Sequence, residues 1–328
     1  MSEAGIHLFV GFEGASLEDE LKYLIRDFRP GGIVLFKRNI QSPGQLKNLV
    51  SDAQALALEE LKRPVFFAID QEGGSVQRLS PHFSSIPSAS SLAEQGPEAV
   101  SQWSAICAAD LREIGIQINF APVLDIVAEG TNHFMGSRSF GSTPAKVSDL
   151  GTIWIETLQA NGVSATAKHF PGLGCAELDP HHFAPVIADK SMEQFRLHLI
   201  PFVSALKAGV NCVMTSHAVY PAVDPEWPAT LSHEICHGWL RQRLGFEGIL
   251  LSDDLDMAAI AGKYSPQEIA SRGLACATDF FLICQKSESI EPMCMALADQ
   301  LDRNQSLQRF HLDTIRRFEM LRRFHFAE

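Results

Sequence analysis

Short runs of β-branched and aromatic residues recur along the chain, each followed by a longer segment with apolar residues at helical spacing. These runs predict eight strands, at residues 6–12, 32–36, 64–70, 116–122, 163–169, 210–217, 248–254 and 278–284. The segments between them predict helices, which include residues 17–28, 42–62, 98–115, 144–162, 191–209 and 232–245. Several of these begin at a serine or an early proline and stop at a glycine, as helices commonly do.

Alternation of strand and helix predicts parallel strands joined by right-handed crossovers. Eight such units favour a closed (β/α)8 barrel of the TIM type, as a single domain over residues 1–328 with a C-terminal helix at about 304–324. The alternative is an open, doubly wound α/β sheet. That fold would favour a Gly-rich phosphate turn after an early strand, and the sequence contains no G-x-G-x-x-G.

Composition narrows the partners that the protein could have. The chain is 46% apolar and carries a formal net charge of −12, without a basic run, which argues against nucleic acid and anionic membranes. The first residues show neither the pattern of a signal peptide nor that of a membrane-spanning segment, so we expect a cytoplasmic protein. The seven cysteines form no C-x-x-C pair, so we expect reduced, mostly buried thiols and no metal. We also expect no cofactor and no obligate protein partner.

Polar residues gather where the predicted strands end. These residues are Lys37, Arg38, Asn39, Asp70, Gln71, Glu72, Asp125, Lys168, His169, His217, Asp253 and Asp254. In barrels of this type the chemistry lies at the C-terminal ends of the strands. The pattern therefore predicts a site for a polar substrate on that face.

The segment 168–182 (KHFPGLGCAELDPHH) follows the fifth predicted strand and is broken by glycine and proline. Pro180 favours an extended Asp179, and residues two apart in an extended segment face the same way. We therefore expect the Asp179 carboxylate beside the His181 imidazole, an arrangement that fixes the imidazole's tautomer and makes a general acid/base. His182 is more simply interpreted as a loop histidine without a role.

The run GILLSDDLDM, residues 248–257, leads an apolar strand directly onto Asp253 and Asp254. Neighbouring strand residues face opposite ways, so we expect only one of the two to face the mouth of the barrel. Alternation alone does not choose between them, because both faces of a barrel strand are buried. A carboxylate there could act as a nucleophile or stabilise a cation-like transition state.

Five blocks, taken together, resemble a known family. They are AIDQEGGSVQRL (68–79), RSFG (138–141), KHFPGLG (168–174), DPH (179–181) and SDDLDM (252–257). Their order resembles that of family 3 glycoside hydrolases, in particular the single-domain bacterial β-N-acetylglucosaminidases of peptidoglycan recycling. The resemblance implies a retaining hydrolase that releases a terminal β-linked N-acetylglucosamine from small carbohydrates or muropeptides.

The resemblance also implies roles for individual residues. Asp253 matches the family nucleophile, His181 the acid/base and Asp179 its orienting partner. The positions that match the family's sugar-binding residues are Asp70, Arg78, Arg138, Lys168 and His169.

The sequence departs from the family pattern at several positions. Leu173 stands where histidine is usual, Cys175 and Ala176 replace Asp-Thr, Pro180 replaces serine, and Ser75 replaces arginine. These departures leave open a β-glucosidase of the same family or a sugar-binding barrel with weakened catalysis. The resemblance also leaves open a β-glycoside phosphorylase, because a histidine acid/base tolerates an anionic acceptor such as phosphate.

Two unrelated chemistries are alternatives. Lys168 at a strand end could form a Schiff base, but that needs a lowered pKa, whereas nearby acids favour the charged form. A zinc site built from His169, His181 and His182 matches no compact ligand spacing.

Overall fold

Eight parallel strands close into a ring in the computed structural model, which describes residues 4–130, 133–176, 185–188 and 190–326. The strands are β1 (Leu8–Val10), β2 (Gly32–Leu35), β3 (Phe66–Ile69), β4 (Ile118–Asn119), β5 (Ser164–Phe170), β6 (Cys212–Thr215), β7 (Ile249–Asp254) and β8 (Phe280–Ile283). Each strand pairs with the next along the chain, and β8 pairs with β1. The predicted (β/α)8 barrel is confirmed and the open sheet is wrong; the boundaries 1–328 stay a prediction.

Alternate strand residues face the two sides of the barrel wall. Phe9, Phe66 and Phe280 belong to a buried cluster inside the ring, whereas Phe67 and Phe281 join the larger cluster between strands and helices. Both sides are apolar because a parallel barrel strand is covered on each face. This explains why the strands could be recognised as continuous apolar runs.

Helices surround the barrel and cover its outer face. They are α1 (Asp19–Tyr23), α2 (Pro43–Leu61), α3 (Ala89–Gln95), α4 (Pro97–Ile114), α5 (Pro144–Ala160), α6 (Met192–Lys207), α7 (Pro266–Ala275), α8 (Ile290–Arg303) and α9 (Gln305–Phe326). Two further segments, Leu24–Phe28 and Glu234–Arg243, are π-helical. All predicted helices overlap helical segments, and α9 confirms the predicted C-terminal helix.

The helix boundaries follow from local chemistry. The Ser42, Ser191 and Ser265 hydroxyls each accept a hydrogen bond from the backbone N–H three residues later, at 3.2–3.3 Å. Gly115 ends α4 with φ +93°, a conformation that side chains disfavour.

The lower end of the barrel, where the strands begin, is closed by α9. Phe318 and Leu321 of this helix complete the interior cluster. Beside them the fully buried Asp279 accepts hydrogen bonds from Arg241 (2.7 Å), Thr314 (2.8 Å) and Arg317 (3.0 Å). The ionic cluster therefore fixes α9 to the start of β8.

The cysteines match the prediction from their spacing. All seven lie among the described residues as free thiols; six are buried and Cys175 is exposed. Within the same part of the chain, no helix has both the length and the apolar character to cross a lipid bilayer.

Candidate active site

A cavity of about 350 Å³ opens where the strands end, at the upper face of the barrel. The charged and polar side chains that line it are Asp70, Arg78, Arg138, Lys168, His169, Asp253, Asp254, Asp256 and Gln285. Every predicted site residue that the structure describes is therefore in this cavity. A larger cavity of about 530 Å³ lies at the lower end beside α9, but the buried ion network described next belongs to the upper one.

Lys168 stands at the centre of the network on one wall of the cavity. Its ammonium lies 2.8 Å from Asp70 Oδ1 and 2.6 Å from Glu72 Oε1. Lys168 is on β5, whereas both acids follow β3, so the network spans non-adjacent strands. The barrel fold thus joins side chains that are almost 100 residues apart.

Two arginines complete the network. Arg138 forms a two-pronged pair with Glu72, with Nε and Nη2 each 2.8 Å from a carboxylate oxygen. Arg78 Nη2 lies 3.2 Å from Asp70 Oδ2, and its guanidinium lies over the Phe36 ring. Three cations and two carboxylates leave an excess of positive charge and of N–H donors, which suits a ligand rich in hydroxyl and carbonyl oxygens.

The charges of the network stabilise one another. Burial by itself would raise the pKa of Asp70 and Glu72, but the nearby cations outweigh it and lower both values, that of Glu72 to about 2. Burial would lower the pKa of Lys168, yet the carboxylates of Asp70 and Glu72 raise it. All these groups therefore stay charged at neutral pH.

The raised pKa of Lys168 bears on the Schiff-base alternative. A Schiff-base lysine must be neutral to attack a carbonyl, which needs a lowered pKa. The ion pairs shift Lys168 in the opposite direction, so the structure argues against that chemistry.

Asp125, at the end of the segment after β4, holds His169 in place. Its Oδ2 lies 2.8 Å from His169 Nδ1, while Oδ1 accepts the Leu173 backbone N–H at 2.6 Å. Asp125 is fully buried; burial would raise its pKa, but His169 and the backbone donors lower it. The imidazole therefore donates to Asp125 through Nδ1, which fixes the orientation of the ring at the edge of the cavity.

Asp253 and Asp254 lie on the opposite wall, at the end of β7. The expectation that only one of them faces the mouth is wrong, because both border the cavity. The pairing of β7 with β8 shifts between Leu251 and Asp254, which breaks the regular alternation there. Asp253 accepts the Asp254 N–H at 2.8 Å, and the described residues place no cation in an ion pair with it.

The two carboxyl groups differ in their surroundings. Asp254 Oδ1 accepts the backbone N–H groups of Asp256 and Cys284, both at 3.1 Å. Burial and the neighbouring Asp256 carboxylate raise the pKa of Asp254 to about 7. Asp254 is therefore partly protonated at neutral pH.

Several polar strand-end residues have structural roles instead. Arg38 donates to the carbonyls of Phe12 and Cys284, and Asn39 donates to the carbonyls of Phe12 and Gly14. The buried His217 donates to the Asp254 carbonyl at 3.0 Å. These side chains tie neighbouring βα loops together.

The predicted acid/base pair falls on residues 177–184. Asp179 and His181, like His182, lie outside the described residues. The chain leading to them is described: Tyr220 donates to the Gly172 carbonyl (2.9 Å) and His133 donates to the Ala176 carbonyl (2.7 Å). We call residues 172–176 the stem.

Glu72 and Asp125 are site residues to which the sequence assigned no role. Both were recognised as strand-end acids, but their partners lie 44 to 96 positions away in the sequence. The two-pronged contact of Glu72 with Arg138 could have been suspected only from the shared face of the barrel.

Of the three histidines of the zinc alternative, only His169 lies among the described residues. Within the ranges that the structure describes, no group of three or more His, Cys, Asp or Glu side chains could hold a metal ion.

The sequence is similar to those of known proteins over most of its length. The family model described as "Glycosyl hydrolase family 3 N terminal domain" matches residues 7–317. A β-hexosaminidase of Thioalkalivibrio sulfidiphilus is 34% identical over 302 residues, which cover 90% of this chain and 85% of that protein. A β-hexosaminidase of Idiomarina loihiensis is 36% identical over 285 residues, which cover 84% of this chain and 83% of that protein.

Solved structures give the same result. A family 3 β-N-acetylglucosaminidase from Paenibacillus sp. str. FPU-7 matches with a TM-score of 0.94 and 34% identity, over 99% of this chain and 62% of that longer one. A β-N-acetylhexosaminidase from Beutenbergia cavernae matches with a TM-score of 0.90 and 28% identity, over 98% of this chain and 97% of that one. The resemblance seen in the motifs is confirmed, and the chain is a glycoside hydrolase that belongs to family 3.

Proposed function

We propose that this enzyme is a retaining exo-β-N-acetylglucosaminidase, which removes a terminal β-linked N-acetylglucosamine through a covalent glycosyl-enzyme. The observation that carries the proposal is the upper cavity itself. Asp253, a carboxylate that forms no ion pair with any of the described residues, faces a wall of cations that includes the buried Lys168, across a space that suits a small polar ligand. The relatives named β-hexosaminidase, which match most of this chain, support the choice of sugar.

In the proposed reaction, Asp253 attacks the anomeric carbon and forms an ester with the sugar. His181, oriented by Asp179, gives a proton to the leaving oxygen and then takes one from the attacking water. The sugar hydroxyls are bound by five side chains that line the cavity. They are Asp70, Arg78, Arg138, Lys168 and His169. These five binding roles follow the family resemblance.

Hydrolysis of nitrophenyl β-N-acetylglucosaminide is the direct test, with the β-glucoside alongside. The N-acetylglucosaminide should be cleaved, and NMR should show the β anomer as the first product. A first-formed α anomer would overturn the retaining mechanism. Cleavage of the glucoside alone would overturn the substrate.

The nucleophile is tested by two neighbouring variants. Asp253→Asn should lower kcat on the order of 10⁴-fold, because it removes the group that forms the covalent bond. Asp254→Asn is the matched control, because its amide keeps the oxygen that accepts two backbone N–H groups. Its kcat should fall far less than that of Asp253→Asn.

Azide separates a missing nucleophile from a damaged site. Added azide should restore turnover of Asp253→Ala and yield an α-glycosyl azide, because azide enters from the face that the carboxylate occupied. Rescue of Asp254→Ala in place of Asp253→Ala would move the role to Asp254.

The acceptor and the natural substrate are part of the proposal too. Water is the proposed acceptor and a cell-wall muropeptide the proposed substrate. Product analysis with inorganic phosphate should give free sugar; a sugar 1-phosphate would identify a phosphorylase. Binding of N-acetylglucosamine without turnover would identify a sugar-binding barrel.

A further inference from the structure

Cys175 and His198 form a thiol–imidazole pair beside the upper face of the barrel. Cys175 Sγ lies 3.0 Å from His198 Nε2, which is close enough for a proton to pass between them. Cys175 lies on the stem and is exposed, whereas His198 lies on α6 and is buried. The imidazole is thus buried, whereas the cysteine residue that it contacts is exposed to solvent.

A neighbouring imidazole changes the chemistry of a thiol. The reactive form of cysteine is the thiolate, and an imidazolium within hydrogen-bond distance stabilises it. The other six cysteines are buried, and burial raises the pKa of Cys107 and Cys212, for example. Among the seven thiols, the fold therefore exposes only that of Cys175 and places an imidazole against it.

The position of the pair links it to the proposed active site. The stem is bonded on both sides of Cys175: the Leu173 N–H donates to Asp125, which also holds His169, and the Ala176 carbonyl accepts from His133. A group attached to the sulfur would break the contact with His198 and disturb these neighbours. The chain continues from the stem directly into residues 177–184.

We infer that Cys175 is a modification site at which small electrophiles attach covalently to this protein, with His198 as the group that activates the sulfur. Attachment also lowers glycosidase activity by displacing the stem, a consequence that rests on the proposed function.

The chemical step is an alkylation. With iodoacetamide as the electrophile, the Cys175 proton passes to His198 Nε2 and the sulfur attacks the methylene carbon. An S–C bond forms, the C–I bond breaks and iodide leaves with the electron pair. The imidazolium then returns its proton to water.

The rate of alkylation tests the site. Native protein is treated with iodoacetamide at neutral pH, and the modified peptide is identified by mass spectrometry. Cys175 should react on the order of 10-fold faster than glutathione, because more of it is thiolate at that pH. His198→Gln should return the rate to that of glutathione, and Cys175→Ser should abolish the modification.

Controls separate activation from unfolding. Cys294→Ser removes a buried thiol and should leave the rate unchanged. If His198→Gln instead exposes buried cysteines, their peptides will appear in the mass spectrum; the rate at Cys175 is then compared in His198→Asn. A Cys175 rate equal to that of glutathione in the wild type, or unchanged in a folded His198 variant, overturns the inference.

Activity is the second measurement. Alkylation should lower hydrolysis by the wild type, whereas Cys175→Ser should keep its activity in the presence of iodoacetamide. Full activity after complete alkylation would overturn the link between stem and site. A wild type that never hydrolyses the sugar would refute the proposed function alone, since the alkylation rates do not depend on it.

Discussion

Glu72→Gln tests the ion network most directly. The change keeps the size of the side chain but removes a charge that is only 7% exposed. One amide oxygen cannot serve both Lys168 and the two N–H groups of Arg138, and the amide N–H₂ would face a cation. We therefore expect a large loss of stability from a small change of structure.

The size of the loss follows from the pKa of Glu72. The carboxyl has an ordinary pKa of 4.5, lowered to about 2 in the folded protein. At about 1.4 kcal/mol for each pH unit, this difference corresponds to about 3 kcal/mol of stabilisation at neutral pH. Removing one partner of a buried ion pair typically costs about 3–5 kcal/mol, which agrees.

The pH dependence supplies a second check on Glu72. A carboxyl whose pKa is lowered by folding stabilises the protein above its unfolded pKa, and this contribution fades as pH falls towards the folded value. The stability gap between wild type and Glu72→Gln should therefore be largest at neutral pH and shrink as pH falls from about 4.5 towards about 2, because the unfolded chain takes up the Glu72 proton first.

Urea unfolding at several pH values measures this gap. Glu59→Gln, an exposed position on α2, is the control and should change stability by less than about 0.5 kcal/mol. A neutral-pH loss under about 1 kcal/mol for Glu72→Gln, or a gap that stays constant as the pH falls, would refute the reasoning.

Three further predictions concern other parts of the molecule. Asp125→Asn should lower kcat/KM on the order of 100-fold, because one amide oxygen cannot accept from both the His169 imidazole and the Leu173 N–H; unchanged steady-state kinetics would contradict this. The raised pKa of Asp254 means that the folded protein binds the carboxyl proton more tightly than the unfolded chain does. The stability of the wild type relative to Asp254→Asn should therefore fall as pH rises from 3.8 towards about 7. A difference in Tm that stays constant over this range would contradict it. Asp279→Ala should cost about 3–5 kcal/mol in urea unfolding, since it leaves Arg241 and Arg317 without their shared buried partner, while the kcat of the folded enzyme should stay within about 2-fold, given the distance from the upper cavity.

The eight strands could be predicted because a barrel strand must be apolar on both faces. Their lengths could not: residues 116–122 were predicted as a strand, but β4 spans only Ile118–Asn119. Strand pairing depends on neighbours that the local pattern does not contain. By contrast, Ser265 and Glu268 form a capping box that could have revealed α7.

The site was only partly predictable for a similar reason. Strand-end position is a property of the local sequence, so Asp70 and Lys168 could be recognised. The contact between Glu72 and Arg138 depends on how distant loops meet. The shared exposure of Asp253 and Asp254 depends on a register shift between β7 and β8 that no alternation rule anticipates.

Placing α9 beneath the barrel has a consequence for how the enzyme can vary. Phe318 and Leu321 seal the entrance of the ring while Asp279 secures the helix from the side, so the lower end is closed by side chains that do not line the upper cavity. Substitutions at exposed positions of the upper loops, such as Cys175, therefore leave this lower closure of the ring intact. Sugar preference in such a protein is free to drift while its architecture stays constant.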